Sequence, residues 1–241
     1  MKISNGVEII PAVMPKSLGD LSAHASRVRG LVKTIQVDIV DGVFASNRTW
    51  PYVPQQGMEE FGRIAKEEEP LPLWDELSYE IDLMTARPEA TASAWVSAGA
   101  RRLVIHIEST DNFSHVLTAL EGRYAKKEER DSFGVELGLA LSIDTPLSAV
   151  EPFIREVSFV QLMGIARIGF QGEPFDERVL PRLQELRRMH PDLILSVDGG
   201  VHLANAAALV SAGANRLVAG SEVFESDSIR ATLAQFHTIT S

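Results

Sequence analysis

The stretch Thr34-Ile-Gln-Val-Asp-Ile-Val-Asp-Gly42 decides the fold, because a β-branched apolar run that ends in acidic residues and glycine is typical of a buried strand followed by a turn. Gln36 and Asp38 are two residues apart, so both side chains point to the same face of such a strand. A second stretch, Leu193-Ile-Leu-Ser-Val-Asp-Gly-Gly200, repeats this pattern and places Asp198 before two glycines. If both strands are parallel members of one sheet, Asp38 and Asp198 lie at the same rim.

Length and composition favour one soluble enzyme-sized domain. The chain has 241 residues, of which 45% are hydrophobic, and we expect residues 1–241 to form a single α/β domain. No apolar run approaches the roughly 20 residues that a membrane helix needs, and the first residues lack the apolar core of a signal peptide. The absence of cysteine excludes disulfides and thiolate metal sites. A cytoplasmic location without membrane partners is therefore the expectation.

The charge of the chain constrains its partners. A net charge of −10 argues against binding to a nucleic-acid backbone. It also means that an anionic substrate must be held by local donors, since the overall field does not attract it.

Strand-like and helix-like segments alternate along the whole chain, which predicts a parallel sheet with helical crossovers. Helices are expected between the strands, among them residues 112–124, ending in a charged stretch at 126–131, and residues 145–156. The long segment 41–54 is expected to be a functional loop. The predicted strands are residues 7–14, 34–40, 78–84, 102–107, 134–142, 158–163, 193–197 and 215–219.

The repeats number eight, as in a single TIM (β/α)8 barrel. A doubly wound open sheet is the competing architecture. It usually has a glycine-rich turn after its first strand, and Pro15-Lys-Ser-Leu18 contains no glycine.

Several sequence blocks also resemble those of a known family. The blocks resemble the signatures of ribulose-phosphate 3-epimerases, in the same order and spacing over nearly the whole chain. The resemblance implies a TIM barrel that binds a divalent metal and converts a phosphorylated ketopentose, of the ribulose 5-phosphate to xylulose 5-phosphate type, through an enediolate. The matching blocks are Val37-Asp-Ile-Val-Asp-Gly-Val-Phe-Ala-Ser-Asn47, Ile81-Asp-Leu-Met-Thr-Ala-Arg-Pro88, Val104-Ile-His-Ile-Glu108, Val197-Asp-Gly-Gly-Val201 and Val218-Ala-Gly-Ser-Glu-Val-Phe224.

The resemblance also implies roles for individual residues. Asp38 and Asp198 match the two aspartates that act as acid and base, and the metal ligands would be Gln36, Asp38, Asp82 and Asp198. Positions 36 and 82 are normally histidines in that family. The chemistry positions are thus retained, whereas the metal-binding residues differ.

The changed ligand set has a physical consequence. Carboxylates of Asp38, Asp82 and Asp198 at one buried rim would repel each other, and a divalent ion between them would remove this conflict. A set made only of oxygen ligands favours Mg²⁺ or Mn²⁺ over Zn²⁺. The alternative is that Asp82 points elsewhere or pairs with a basic neighbour while Gln36 bonds to backbone groups.

A phosphate site is expected at the ends of the last two strands. Barrels of this kind frequently hold phosphate on backbone N–H groups after these strands. Arg167 could add a charge-assisted contact or remain solvated. His106 and Met163 are expected near the substrate, with packing in the core as the alternative for both. The phosphate-binding candidates are Gly199, Gly200, Gly220 and Ser221.

Two other functions remain open. A sugar-phosphate lyase on a related barrel would usually need a lysine at a strand end, and Lys16 is the only candidate. A non-catalytic paralogue would bind a phosphorylated sugar without converting it, which the two replaced histidines would allow. In each case the expected partner is a phosphorylated sugar, and a homo-oligomer is an open possibility.

Overall fold

The computed structural model of the chain describes residues 6–120, 132 and 134–240. Its strands form a closed parallel barrel in which each strand pairs with the next in the sequence and the last pairs with the first. The predicted TIM barrel is therefore confirmed. The strands are β1 Glu8–Val13, β2 Thr34–Val40, β3 Ser78–Met84, β4 Ala100–His106, β5 Glu136–Leu141, β6 Phe159–Met163, β7 Ile194–Asp198 and β8 Arg216–Ala219.

Helices cover the outside of the barrel, between consecutive strands. Alternate residues of each strand, such as Val37 and Ile39 of β2, point outward and join the main apolar core beneath the helices. The residues between them, such as Gln36 and Asp38, therefore point into the barrel. The helices are α1 Leu18–Val28, α2 Gly57–Ala65, α3 Ala92–Ser97, α4 Phe113–Leu120, α5 Val179–Met189, α6 Leu203–Ser211, α7 Ser221–Phe224 and α8 Ile229–Ile239.

The prediction of a helix over residues 145–156 is wrong. Two short 3-10 turns, Leu147–Ala149 and Glu151–Phe153, occupy this segment instead. Pro152 has no N–H to donate and disfavours the helical conformation of the residue before it, so a continuous helix cannot form. The helix expected over 112–124 is present up to Leu120, and the charged stretch 126–131 lies outside the described residues.

The N-terminal end of the barrel interior is filled by an ion-pair network. Arg102 Nη2 lies 2.9 Å from Glu8 Oε2, and its Nη1 lies 3.3 Å from Glu80 Oε2. Arg216 Nη2 lies 2.7 Å from Glu136 Oε2. Burial raises the pKa of Glu80, and the arginines partly offset this effect. These charged groups form ion pairs with one another. The catalytic residues are therefore expected at the opposite, C-terminal end of the barrel.

Candidate functional site

Three aspartates meet at the C-terminal end of the barrel. Asp38 on β2 and Asp82 on β3 are paired directly in the sheet, and Asp198 is the last residue of β7. One carboxylate oxygen of each lies within 4.8 Å of the others, and all three side chains are buried. Inward-facing acidic residues on separate strands have thus formed one cluster.

Two glutamine amides hold this cluster together. Gln36 Nε2 donates hydrogen bonds to Asp38 Oδ1 and Asp198 Oδ2, both at 2.8 Å. Gln161 Nε2 donates to Asp82 Oδ2 at 3.0 Å and to Asp198 Oδ2 at 3.3 Å. The amide nitrogens therefore lie between the carboxylates and reduce their mutual repulsion.

The aspartates have perturbed proton affinities. Burial, together with the neighbouring carboxylates of Asp198 and Asp82, raises the pKa of Asp38 well above its usual range. Burial and the Asp82 carboxylate raise the pKa of Asp198 to about 7, although the hydrogen bond from Gln36 opposes the shift. Because the two groups interact, they titrate as a pair. Near neutral pH such a pair can offer one carboxylate and one carboxylic acid.

His106, at the end of β4, is fully buried beside the cluster. Its Nε2 lies 3.1 Å from Asp82 Oδ1, but neither ring nitrogen makes a well-directed hydrogen bond to a described residue. Burial alone would lower the pKa of His106, but the neighbouring carboxylates of Asp82, Glu108 and Asp198 together raise it. Asp82 therefore does face a basic neighbour, and it remains part of the cluster.

The ligand set fits a hard divalent cation. Gln36 Oε1 and Asp82 Oδ1 are buried oxygens without a hydrogen-bond partner among the described residues. Together with the clustered carboxylates they form an all-oxygen donor set, which suits such an ion. An amide nitrogen does not ligate such an ion, so Gln36 would take part only through Oε1, after its amide group had turned over and released Asp38 and Asp198.

A cavity of about 50 Å³ opens beside Asp38 and Asp198. Two loops meet beside it: one follows β2, and the other follows β6 and lines the cavity. Asn47 of the first loop donates from Nδ2 to the carbonyl of Gly169 in the second, at 3.1 Å. A sugar phosphate needs a larger site than this, because pockets for small ligands typically measure roughly 300–1,000 Å³.

The predicted phosphate-binding residues line the same cavity as the two aspartates. Gly199 and Gly200 have φ values of +93° and +65°. A Cβ on Gly200 would also stand 2.7 Å from the backbone of Phe175, so this turn requires glycine. Met163 lines the cavity too, and the remaining predicted residues there are Gly220 and Ser221.

Three other residues in the loops that follow the strands are engaged elsewhere. Arg167 pairs with Glu173 and stacks on Phe170, with 66% of its side chain exposed. Lys16 Nζ donates to the carbonyl of Arg48 at 2.8 Å. Asp41, in the turn after β2, accepts hydrogen bonds from backbone N–H groups.

Sequence reasoning missed Gln161 and Gln171. Gln161 is a polar residue inside the apolar strand β6 and shares the inward face with Met163, which was a usable signal. Gln171 lies in the loop after β6, and its Nε2 donates to the carbonyl of Ala12 at 3.2 Å. No periodic pattern in the sequence marks such a loop contact.

The model of the Ribulose-phosphate 3 epimerase family matches residues 8–224. The chain belongs to the ribulose-phosphate 3-epimerase family. Ribulose-phosphate 3-epimerase of Bacillus subtilis is 30% identical over 224 residues, which cover 90% of this chain and 92% of that protein. The enzyme of Schizosaccharomyces pombe is 27% identical over 222 residues, covering 92% and 88%. This membership places the chain among epimerase-like carbohydrate-phosphate enzymes.

Solved structures outside this family share the fold. The structure of KGPDC from Streptococcus mutans has a TM-score of 0.67 at 16% identity, covering 98% of this chain and 97% of that one. That of a 3-hexulose-6-phosphate synthase has a TM-score of 0.65 at 18% identity, covering 97% and 100%. At such identities the likeness shows the barrel alone. Among the described residues, no helix is long and apolar enough to cross a bilayer.

Proposed function

We propose that this family member epimerises a phosphorylated ketopentose of the ribulose 5-phosphate to xylulose 5-phosphate type. The observation that carries the proposal is the pair Asp38 and Asp198, which line one cavity and have raised pKa values. The family relationship supports the substrate class. The reaction would place the protein in pentose phosphate metabolism.

Epimerisation needs one base and one acid on opposite faces of the same carbon. One aspartate removes the proton from C3, and the electron pair of the C–H bond moves into the C2 carbonyl to give an enediolate. The other aspartate, in its protonated form, then delivers its proton to the opposite face of C3. The two carboxyl groups line one cavity and titrate as an interacting pair, so one can be ionised while the other is protonated, as this division needs.

A divalent cation is part of the proposal. Gln36, Asp38, Asp82 and Asp198 would hold it, and it would supply positive charge that stabilises the enediolate oxygens. The all-oxygen donor set favours Mg²⁺ or Mn²⁺ over Zn²⁺. Gln161 and His106 would keep Asp82 and Asp198 in place through the contacts described above.

The phosphate group is proposed to bind at the other end of the cavity. Backbone N–H groups of Gly199, Gly200 and Gly220 and the hydroxyl of Ser221 would be the donors. Met163 would contact the carbon chain of the sugar. The cytoplasmic location expected from the sequence stays a prediction, and a homo-oligomer stays an open possibility.

One observation favours the second candidate, a non-catalytic phosphosugar-binding paralogue. The Gln36 amide already bridges Asp38 and Asp198, at 2.8 Å from each, so the carboxylates are held together without an ion between them. The lyase loses support, since Lys16 is bonded to the loop after β2 and does not line the cavity.

The test is deuterium exchange from solvent. Ribulose 5-phosphate and xylulose 5-phosphate are each incubated with the protein and Mn²⁺ in D₂O, and C3 is followed by NMR. We expect deuterium at C3 of both epimers and their interconversion. Binding of either sugar phosphate with no exchange at C3 would instead support the paralogue.

A further inference from the structure

Gln171 links the loop after β6 to the opposite side of the barrel mouth. The residue is exposed overall, but its amide nitrogen donates to the carbonyl of Ala12 near the end of β1, at 3.2 Å. The same nitrogen lies 2.8 Å from the point where a Cβ on Gly220 would stand. The amide thus lies directly over the backbone at the end of β8, inside the cavity that Asp38 and Asp198 line.

The side-chain amide of Gln171 has one N–H group that is not used in a hydrogen bond to the described residues. A carboxamide nitrogen carries two N–H groups, and the bond to Ala12 uses one of them. No other hydrogen bond of the Gln171 amide is found among the described residues. An unused donor therefore lies next to Gly220, which follows β8 and is one of the predicted phosphate-binding residues.

Because the cavity is lined by acidic side chains, a neutral hydrogen-bond donor would help to bind an anion there. Its lining includes the carboxyl groups of Asp38, Asp198 and Glu173, but no lysine or arginine of the described part of the chain. Arg167, in the loop after β6, binds Glu173. A phosphate dianion in this cavity has to be held by backbone N–H groups, hydroxyls and amides.

We propose that Gln171 is a specificity-determining residue whose side-chain amide donates a hydrogen bond to the phosphate end of the substrate. The inference rests on the proposed function, since it assumes a phosphorylated ligand. When the ligand binds, a phosphate oxygen becomes an acceptor for this amide in addition to, or in place of, the Ala12 carbonyl. A hydrogen bond to an ionised acceptor is about twice as strong as one between neutral groups, so the exchange favours the phosphorylated sugar.

Two variants separate the donor from the shape of the side chain. Gln171→Met keeps the length and removes both N–H groups, and Gln171→Glu keeps the shape and adds a negative charge. Gln55→Glu is the matched control, because Gln55 is exposed on the loop after β2 and is not part of the cavity. The measurements are kcat and KM for ribulose 5-phosphate, deuterium exchange of unphosphorylated ribulose at high concentration, and the inhibition constant of inorganic phosphate.

We expect KM for ribulose 5-phosphate to rise about tenfold in Gln171→Met and further in Gln171→Glu, with kcat changed much less. The inhibition constant of inorganic phosphate should rise in parallel. The preference for the phosphorylated over the unphosphorylated sugar should fall by a similar factor. The control should leave all three quantities as in the natural protein.

Three results would overturn the inference. If both sugars lose kcat/KM in proportion, Gln171 only holds the loop in place. If the natural protein exchanges deuterium and KM stays constant in both variants, the inference fails while the proposed function stands. If the natural protein binds neither inorganic phosphate nor ribulose 5-phosphate, both fail. Binding of phosphate that weakens in the variants, without any exchange at C3, would support Gln171 and contradict the epimerase.

Discussion

Asp82 and Asp198 belong to one cluster, but their surroundings assign them different tasks. Asp198 lines the cavity, where it can meet a substrate. Asp82 does not line the cavity and faces His106 and Gln161. We therefore expect Asp82 to act through the metal and Asp198 to exchange a proton.

Substituting each aspartate by asparagine tests this division. Asp82→Asn keeps an oxygen donor and removes a charge, so metal affinity should fall and excess Mn²⁺ should partly restore turnover. Asp198→Asn should lower kcat by about 10² to 10⁴, without rescue by Mn²⁺, because an amide cannot exchange the proton. Steady-state kinetics over a range of Mn²⁺ concentrations would measure both effects.

Deuterium exchange catalysed by Asp198→Asn tests the two-base mechanism more directly. Asp38 would still serve its own face, so deuterium should enter one epimer without inversion. Equal loss of exchange and inversion from both epimers, in both variants and at any Mn²⁺ concentration, would contradict the two-base mechanism.

The raised pKa values make stability depend on pH when no metal is bound. Asp38 and Asp198 ionise at higher pH in the folded chain than in the unfolded chain, where an aspartate has a pKa of about 4. Their contribution to stability is therefore complete below about pH 4 and is lost as the pH rises through about 7. With a chelator present, we expect the free energy of unfolding to fall between pH 4 and 8 as both groups are forced to ionise in the folded chain.

Urea unfolding at several pH values would measure this fall. Asp198→Asn should show a smaller fall, because one of the two titrating groups is gone. If the free energy of unfolding depends on pH in the same way in the natural protein and in Asp198→Asn, then Asp198 is not a source of this pH dependence.

Much of the site could be predicted at the level of residues, because its acidic members follow apolar runs with a two-residue period. Asp38 and Asp198 could be located in this way. The bridging amides could not, since one polar residue in a strand does not reveal which side chain it meets across the barrel. Gln161 illustrates this, because its partners Asp82 and Asp198 are 79 and 37 residues away in the sequence.

At the level of elements, strands β5 and β6 depend on a close fit inside the barrel. A Cβ on Gly138 of β5 would overlap the ring of Phe159, which is fully buried and lies beneath the guanidinium of Arg216 at 4.7 Å. The ring cannot move without disturbing this cation–π contact. Gly138 therefore reserves space for an aromatic side chain of the neighbouring strand.

Gly138→Ala should destabilise the protein by about 1–3 kcal/mol through overpacking. Gly62→Ala is the control, because a Cβ at this position in α2 meets no atom within 4 Å. The control should leave stability the same or raise it by about 0.5–1 kcal/mol, as alanine favours a helix. Urea denaturation of both variants gives the comparison, and equal effects would contradict the packing argument.

Elements with regular periodicity were predicted better than those interrupted by proline. The bounds of β2 and β3 agree with the expected residues 34–40 and 78–84. The segment 145–156 reads as amphipathic, yet Pro152 divides it into two turns. In this segment the backbone restriction imposed by proline prevented the helix that the hydrophobic pattern predicted.

At the scale of the whole molecule, metal binding should raise the melting temperature. The cation would relieve repulsion among buried carboxylates from β2, β3 and β7, so binding joins strands on different parts of the ring. Added Mn²⁺ at about 100 times its dissociation constant should stabilise the fold by roughly 2.7 kcal/mol. Differential scanning calorimetry with Mn²⁺ and with chelator would detect the shift, and Asp82→Asn should reduce it. An unchanged melting temperature in the natural protein would argue that no ion binds at this cluster.

The closure of the barrel between its first and last strands has a consequence for biosynthesis. β1 pairs with β8 through registers such as Glu8 with Arg216, so the ring needs residues from both ends of the chain. During translation one edge of β1 stays unpaired until β8 has left the ribosome. Nascent chains that stop before Arg216 cannot close the ring, which makes them candidates for chaperone capture or aggregation.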